Sequence, residues 1–322
     1  MRVLIIGSGA IGLGIGAFLL NSKEADVSFL ARDKTYQALK NQFRVYGILG
    51  EYDFYYRDYY VTDNYFDEKL NYQDWVLITT KTYANLEVRD FLKAAKESGF
   101  IFGDNTKILI IQNGWGNSEL YRDFFGEDRV FTARIITGFV RESLNQVKIT
   151  VHADKMRVGN IFKKELSKET EKIVYLLNKG GFDVVVDNDV DKYLWAKLHY
   201  NIALNPLSAL FKVPYGYLAE TEYTRELMNN LIRESFKVME SFGFSTFWDY
   251  GDFLKEFYEK MVPVTYDHLS SMLQDIEAKK PTEIDSFCGV IIKMGEEKGI
   301  DVRYNRIIYN QIKFLEWKNR GV

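Results

Sequence analysis

Cysteine is almost missing from this chain: Cys288 stands alone in 322 residues. An intramolecular disulfide is therefore excluded, and so is a metal centre built on several thiolates. Histidine is nearly as scarce, and His152, His199 and His268 lie too far apart to show a metal-ligand spacing. The formal net charge of −3 gives no electrostatic case for a nucleic-acid partner, which calls for a basic stripe or domain. A long apolar run is also lacking. The nearest approach, Val3 to Ser22, carries no charge but is interrupted by Gly7, Gly9, Gly12, Gly14 and Gly16. Its apolar density falls into two short blocks, Val3 to Ile6 and Ala17 to Leu20, which suit a buried strand and a helix face better than a signal peptide or a membrane span. The expectation is a cytoplasmic protein with no membrane partner.

What is present describes a globular chain of two domains. Hydrophobic residues make up 47% and charged residues 27%, and the length is too great for one ordinary core. The apolar blocks Val3–Ile6, Val27–Leu30, Trp75–Thr79 and Ile108–Ile111 alternate with helical patterns such as Asn85–Glu97. Short continuous apolar strands suit a parallel sheet covered on both faces, and the alternation predicts an α/β fold with a Rossmann-type doubly wound sheet. Further β-rich segments follow at Val130–Phe139, Val147–Val158 and Phe182–Val186. Beyond Asn188 helical periodicity takes over. All four prolines (Pro206, Pro214, Pro263, Pro281) lie in this part, where they are expected to separate successive helices. The predicted division is 1–187 as a dinucleotide-binding domain and 188–322 as an all-helical substrate and catalytic domain.

Gly7-Ser8-Gly9-Ala10-Ile11-Gly12 follows the first strand and opens the first helix. In that setting the first glycine makes the turn, the second lets backbone approach a pyrophosphate, and the third lets helix and strand pack closely. The backbone amides of Gly9, Ala10 and Ile11 then face the phosphates. At the end of the second strand an NAD-specific site would carry Asp or Glu; Arg32 stands there, which suits the 2′-phosphate of NADP. Asp33 beside it weakens that reading, and an unliganded surface arginine would look the same. Lys81 and Asn113 follow the next two strand ends, so three polar residues fall where an open α/β sheet forms its ligand crevice.

In the helical part, Lys197, Asn201 and Asn205 recur at i, i+4 and i+8 on a helix otherwise apolar or aromatic, from Leu194 to Pro206. Such a stripe must face a partner, a cleft or water; a snorkelling lysine with asparagines capping nearby backbone is the plainer alternative. Ser271 opens another helical stretch. After Pro281, Thr282 and Asp285 have capping-box spacing, which would put Glu283 in a first helical turn, where simple dipole electrostatics suffices to explain it.

Taken together, GSGAIG, ITTKTY, IIQNGWGN, LWAKLHYNIALNPLSAL and SSMLQDIEAKKPTEIDSFCGVII resemble the ketopantoate reductase (2-dehydropantoate 2-reductase) family over nearly the whole chain. The resemblance implies an NADPH-dependent reduction of the 2-oxo acid ketopantoate to pantoate, in pantothenate biosynthesis. It implies that Lys197 is the catalytic lysine and Glu283 the essential glutamate. Asn201, Asn205 and Ser271 would clasp substrate, and Asn113 would lie near the nicotinamide. Lys81 would line the same cleft, Arg32 would select NADP, and Gly7, Gly9 and Gly12 would form the pyrophosphate loop. Two departures leave the exact 2-oxo acid open: Ala84 stands where the family often has Gln, and residues 51–60 are unusually rich in tyrosine. Another branched or aromatic 2-oxo acid on the same scaffold, or a non-catalytic NADP-binding sensor, are the alternatives. A small-molecule substrate is the expected partner, and a homodimer is an assembly that the residues allow without specifying.

Overall fold

The computed structural model describes residues 1–164 and 168–320. Two compact units emerge, residues 1–112 with 117–190, and residues 113–116 with 191–322.

The first unit runs β1 (Arg2–Ile6), α1 (Ala10–Asn21), β2 (Asp26–Leu30), α2 (Asp33–Leu39), β3 (Gln42–Gly47), β4 (Gly50–Tyr55), β5 (Tyr60–Thr62), β6 (Gln73–Ile78), α3 (Asn85–Glu97), β7 (Phe102–Ile110), α4 (Glu119–Phe125), β8 (Val130–Ser143), β9 (Gln146–Gly159), α5 (Lys168–Lys179) and β10 (Val184–Val186). The sheet order is β4-β3-β9-β8-β7-β6-β1-β2-β5, with β10 beside β9. Pairing is parallel except in the hairpins β3/β4 and β8/β9. The Rossmann-type expectation holds for β1, β2, β6 and β7, and α3 spans Asn85–Glu97 as its periodicity predicts.

Side chains of the central strands divide between two cores by the period of two that a strand imposes. Val3, Ile5, Trp75, Leu77 and Leu109 enter the core under α1 and α5, whereas Leu4, Ile6, Val76, Ile78, Ile108 and Ile110 enter the core under α3 and α4. Each such side chain contributes roughly 1.5–3 kcal/mol on burial, which is why both faces of these strands read as unbroken apolar sequence. The tyrosine-rich segment serves the same packing. Tyr59 is buried edge-on against Phe29 and Phe43, and its hydroxyl donates to the Leu39 carbonyl at 2.5 Å.

The second unit is helical: α6 (Val190–Phe211), α7 (Tyr215–Leu218), α8 (Glu222–Ser241), α9 (Tyr250–Glu256), α10 (Val262–Val264), α11 (Ser271–Glu277), α12 (Cys288–Lys298) and α13 (Arg303–Asn319). Two prolines do not separate helices as expected. Pro206 lies inside α6, leaving the Ile202 carbonyl without its usual i+4 donor; Pro263 lies in α10, directly after one π turn at Phe257–Met261. A buried carboxylate also does work invisible to periodicity. Glu234 on α8 accepts from the backbone amides of Tyr304 and Asn305, each at 2.9 Å, and so satisfies the first turn of α13.

His199, fully buried on α6, stacks on Phe236 at 4.1 Å and pairs through Nδ1 with the Ser235 hydroxyl at 2.9 Å. Burial pushes its pKa down to about 3 from an ordinary 6.5. The folded ring therefore stays neutral while the unfolded chain takes up a proton below 6.5, so stability is lost as pH falls. Between pH 7 and 5 this one group should cost about 2 kcal/mol. Denaturant unfolding at both pH values checks it: His199→Gln is expected to shrink the acid loss by about that amount, and an unchanged loss would contradict the neutral buried ring.

Candidate active site

In the first unit the glycine loop joins β1 to α1 against the end of β6. Gly7 has φ +107°, and a β-carbon there would meet the Thr80 amide nitrogen at 2.6 Å. The Thr79 hydroxyl donates to the Gly7 carbonyl at 2.7 Å, and a β-carbon on Gly12 would lie 2.1 Å from that same carbonyl. These two positions are closed by protein. Gly9 is different, because a β-carbon there would meet no protein atom within 4 Å. Gly9 is also the N-cap of α1 and offers no side-chain cap, and the first turn of α1 holds no acid. Ala10 and Ile11 are partly exposed, whereas Gly12 to Leu20 are buried. Donors that lack intrahelical partners thus sit beside open space, which fits a phosphate-bearing dinucleotide.

Arg32 caps the N-terminus of α2 just past β2. Its Nη1 and Nη2 donate to the two carboxylate oxygens of Glu87 at 3.1 and 2.5 Å, and its guanidinium lies 5.5 Å from the centre of the Tyr65 ring. Lys81 follows β6, half-buried, at the N-cap of a short 3₁₀ turn (Thr82–Ala84). A network that motif reading missed ties these strand ends together. Gln112 Nε2 donates to the Thr80 carbonyl at 2.8 Å and to Asn85 Oδ1 at 2.7 Å, and Asn85 Nδ2 donates to Asn117 Oδ1 at 2.9 Å. Its signal was the run of polar residues immediately after buried strands.

The second unit gathers the remaining candidates. Lys197 Nζ donates to Asn113 Oδ1 at 2.8 Å, and Asn113 Nδ2 donates to Glu283 Oε2 at 3.2 Å. One and two turns along α6, Asn205 Nδ2 donates to Asn201 Oδ1 at 3.1 Å, and the Ser271 hydroxyl donates to Asn205 Oδ1 at 3.3 Å. Glu283, Asn201 and Asn205 are all buried. The polar stripe on α6 is therefore neither a snorkelling lysine nor a set of backbone caps; its side chains bond to one another, to Asn113 and to Ser271, and Asn113 carries the connection on to Glu283. Asn113 itself packs with this unit, not with the strand it follows.

Glu283 is placed by contacts that its spacing did not foretell. No capping box forms. The Thr282 amide and hydroxyl both donate to Glu316 Oε1 at 2.7 Å, and Asp285 turns instead to the Tyr309 hydroxyl at 2.7 Å and Lys313 Nζ at 3.2 Å. Glu283 consequently precedes a 3₁₀ turn (Ile284–Ser286) rather than entering an α-helix. The same turn anchors Asn113. The Trp115 amide donates to the Ser286 carbonyl at 3.1 Å, and Gly114, at φ +89°, lies so close that a β-carbon would sit 2.4 Å from that oxygen. Trp115 then packs tilted against Trp195, ring centres 4.5 Å apart, one half-turn before Lys197. Glu316, buried on α13, gave no sequence signal, because an acid in a helical pattern reads as a solvated face.

Among the described residues no group of His, Cys, Asp and Glu could hold a metal ion, and no helix is long and apolar enough to cross a membrane. A glycine loop feeding a helix in an α/β unit, with a lysine, a glutamate and amides bonded together in a helical unit, defines a nicotinamide-dependent oxidoreductase. The chain belongs to the ketopantoate reductase family. Residues 3–162 match the family described as ketopantoate reductase PanE/ApbA, and residues 189–316 match its C-terminal counterpart. The 2-dehydropantoate 2-reductase of Aquifex aeolicus is 36% identical over 320 residues, covering 99% of this chain and 98% of that one. That of Archaeoglobus fulgidus is 29% identical over 98% of both chains. The crystal structure of 2-dehydropantoate 2-reductase from Geobacter metallireducens superimposes with a TM-score of 0.82 at 26% identity, covering 97% of this chain and 99% of that one. D-mandelate dehydrogenase with NADH and anilino(oxo)acetate shares the fold, with a TM-score of 0.86 at 19% identity over 99% of both chains.

The open position at Gly9 supplies a test. Gly9→Val adds side-chain bulk where a β-carbon meets no protein atom within 4 Å, so thermal unfolding should move little, while NADPH binding, followed by fluorescence titration, should fall by about tenfold or more if this backbone approaches the pyrophosphate. Gly12→Ala should instead unfold the protein at lower temperature, by a cost on the order of 1–3 kcal/mol for forced overpacking. Equal NADPH affinity in wild type and Gly9→Val would remove the pyrophosphate role.

Proposed function

We propose that this chain reduces 2-dehydropantoate to pantoate with NADPH, with Lys197 as proton donor. The hydrogen-bonded series Lys197–Asn113–Glu283 beside Asn201, Asn205 and Ser271 carries the reading, since it assembles a cation, a buried carboxylate and several neutral polar groups in one unit, from buried Asn201 and Asn205 out to exposed Ser271. Residues 1–187 form the NADP-binding part, and 188–322 the substrate and catalytic part to which the Asn113–Gly116 segment also contributes.

A bound dinucleotide would supply the hydride that C2 of the oxo acid receives. As that C–H bond forms, the carbonyl π pair moves onto oxygen, and negative charge grows there. The Lys197 ammonium stabilises this oxygen and gives it a proton, ending as a neutral amine that solvent re-protonates. Asn113 fixes the ammonium by accepting one of its hydrogens. Glu283 orients the hydroxyl of the substrate, while Asn201, Asn205 and Ser271 receive its other oxygens. Gly7, Gly9, Ala10, Ile11 and Gly12 would hold the pyrophosphate, Arg32 the 2′-phosphate, and Lys81 the nicotinamide side. A cytoplasmic location and a homodimer belong to the same proposal. The single buried cysteine fits a reducing compartment, and sedimentation equilibrium checks the assembly.

NADPH oxidation with a panel of 2-oxo acids is the direct test, with the highest kcat/KM expected for 2-dehydropantoate. Preference for an aromatic or different branched acid would reassign the substrate, and no turnover with any would favour a sensor. Lys197→Ala should lower kcat about 10²–10⁴-fold with NADPH affinity intact, the usual range for a lost general acid. Glu283→Ala should damage both kcat and the KM for the oxo acid.

Asn201→Ala and Ser271→Ala bear on the clasp separately. Each removes a hydrogen bond to an anionic substrate, so the KM for the oxo acid should rise about 10–150-fold, the equivalent of roughly 1.5–3 kcal/mol, while that for NADPH stays constant. A fall in melting temperature with both constants unchanged would make these residues purely structural.

A further inference from the structure

Arg32 and Glu87 come from different elements: Arg32 caps α2 after β2, and Glu87 is the acid in the first turn of α3. The carboxylate meets the guanidinium end-on, so Nη1 and Nη2 are both engaged, at 3.1 and 2.5 Å. Tyr65 holds the pair from one side. Its ring lies under the guanidinium at 5.5 Å, its hydroxyl donates to Glu87 Oε1 at 3.3 Å, and its own edge-on contact with Phe91 at 4.6 Å fixes the ring. Both partners remain about half exposed, at 48% and 56%.

The edge that Glu87 occupies is the one with which arginine grips phosphate in bidentate fashion. A 2′-phosphate and the Glu87 carboxylate are therefore rivals for the same two N–H groups, and two anions on one fork repel each other. A 2′-hydroxyl makes no such demand. It can leave the ion pair in place, and a nearby exposed carboxylate is the kind of acceptor that ribose hydroxyls use when an acid stands at the end of the second strand. We propose that Glu87 is a specificity-determining residue for the cofactor: it competes with the 2′-phosphate for Arg32 and so narrows the preference for NADPH over NADH. This inference rests on the reading of Arg32 as the partner of the 2′-phosphate.

The competition is modest in size because the pair is solvated and weak, and exchange of one anion for another is correspondingly easy. Its charge dependence gives it a signature that a structural contact would lack. Glu87→Gln keeps the shape of the side chain and removes only its charge.

Binding isotherms for NADPH and NADH, measured without oxo acid on wild type, Glu87→Gln and Arg32→Ala, test both layers. Glu87→Gln should bind NADPH roughly two- to fivefold more tightly and NADH no more tightly than wild type does, with a gain that shrinks as salt is raised. Arg32→Ala should weaken NADPH alone. If Arg32→Ala behaves so while Glu87→Gln binds NADPH like wild type or more weakly, the competitor role is overturned and the Arg32 reading stands. If Arg32→Ala weakens both cofactors equally or neither, the Arg32 reading fails and the inference falls with it. Thermal unfolding of each variant shows that the differences arise in folded protein.

Discussion

A primary amide carries an acceptor and two donors on one carbon, and Asn113 uses both kinds of group to join Lys197 to Glu283. Much else in the helical unit answers to that bridge. For the amide to reach α6, the chain must leave the first unit after Gln112, pack four residues into the second unit, and return at Asn117. Gly114 allows the close pass along Ser286, and Trp115 wedges beside Trp195 on α6. Glu316 then holds Thr282, so the backbone that carries Glu283 is fixed on the other side of the bridge. Each of these contacts would be a poor use of buried polar atoms unless the bridge they position were needed.

The rest of α6 follows the same logic. Polar groups on a buried helix lose water and regain stability only through good partners. Buried Asn201 and Asn205 bond to each other, and Asn205 also accepts from the exposed Ser271 hydroxyl, which orients all three side chains. The glycine loop is organised in the opposite sense. Gly7 and Gly12 are closed by protein contact and Gly9 is open, so the shape of the loop is held rigidly while one face of it stays clear.

How much of this could be read from residue order depends on the range of the interaction concerned. The central strands were legible because parallel strands buried on both faces are apolar throughout, and α3 because its amphipathic period is local. The α6 stripe was visible as three polar residues at helical spacing on an apolar helix, but spacing alone left a snorkelling lysine with backbone caps as an equal alternative, and only the family resemblance favoured a functional reading. What escaped depended on partners remote in the chain. Thr282 and Asp285 have capping-box spacing, yet Glu316, Tyr309 and Lys313 on α13 offer better partners, and the box does not form. Pro206 has the local signature of a helix end, yet α6 runs through it. Glu234 and Glu316 look like solvated acids in an amphipathic pattern, and only tertiary packing turns them inward to cap α13 and to hold Thr282. The Arg32 pairing was invisible too, since nothing local says which carboxylate of α3 reaches the end of β2.

The two units therefore differ in how firmly they can discriminate. The proposed exchange of a ligand oxygen for Glu87 at Arg32 would take place at a half-exposed ion pair, where water can compensate either state, so the expected free-energy difference between cofactors there is small. Exchange at Asn201, Asn205 or Glu283 happens among buried groups. A ligand that breaks one of those hydrogen bonds without returning it leaves a polar atom unpaired away from water, at a cost of about 1–3 kcal/mol for each. A substrate with hydroxyl, keto and carboxylate oxygens at matching positions returns every bond it breaks, and one lacking a hydroxyl does not. If the proposed site roles hold, selectivity for the oxo acid is expected to be sharper than selectivity for the cofactor, and to reside in the buried asparagines of α6 and Glu283 rather than in the strand ends of the sheet.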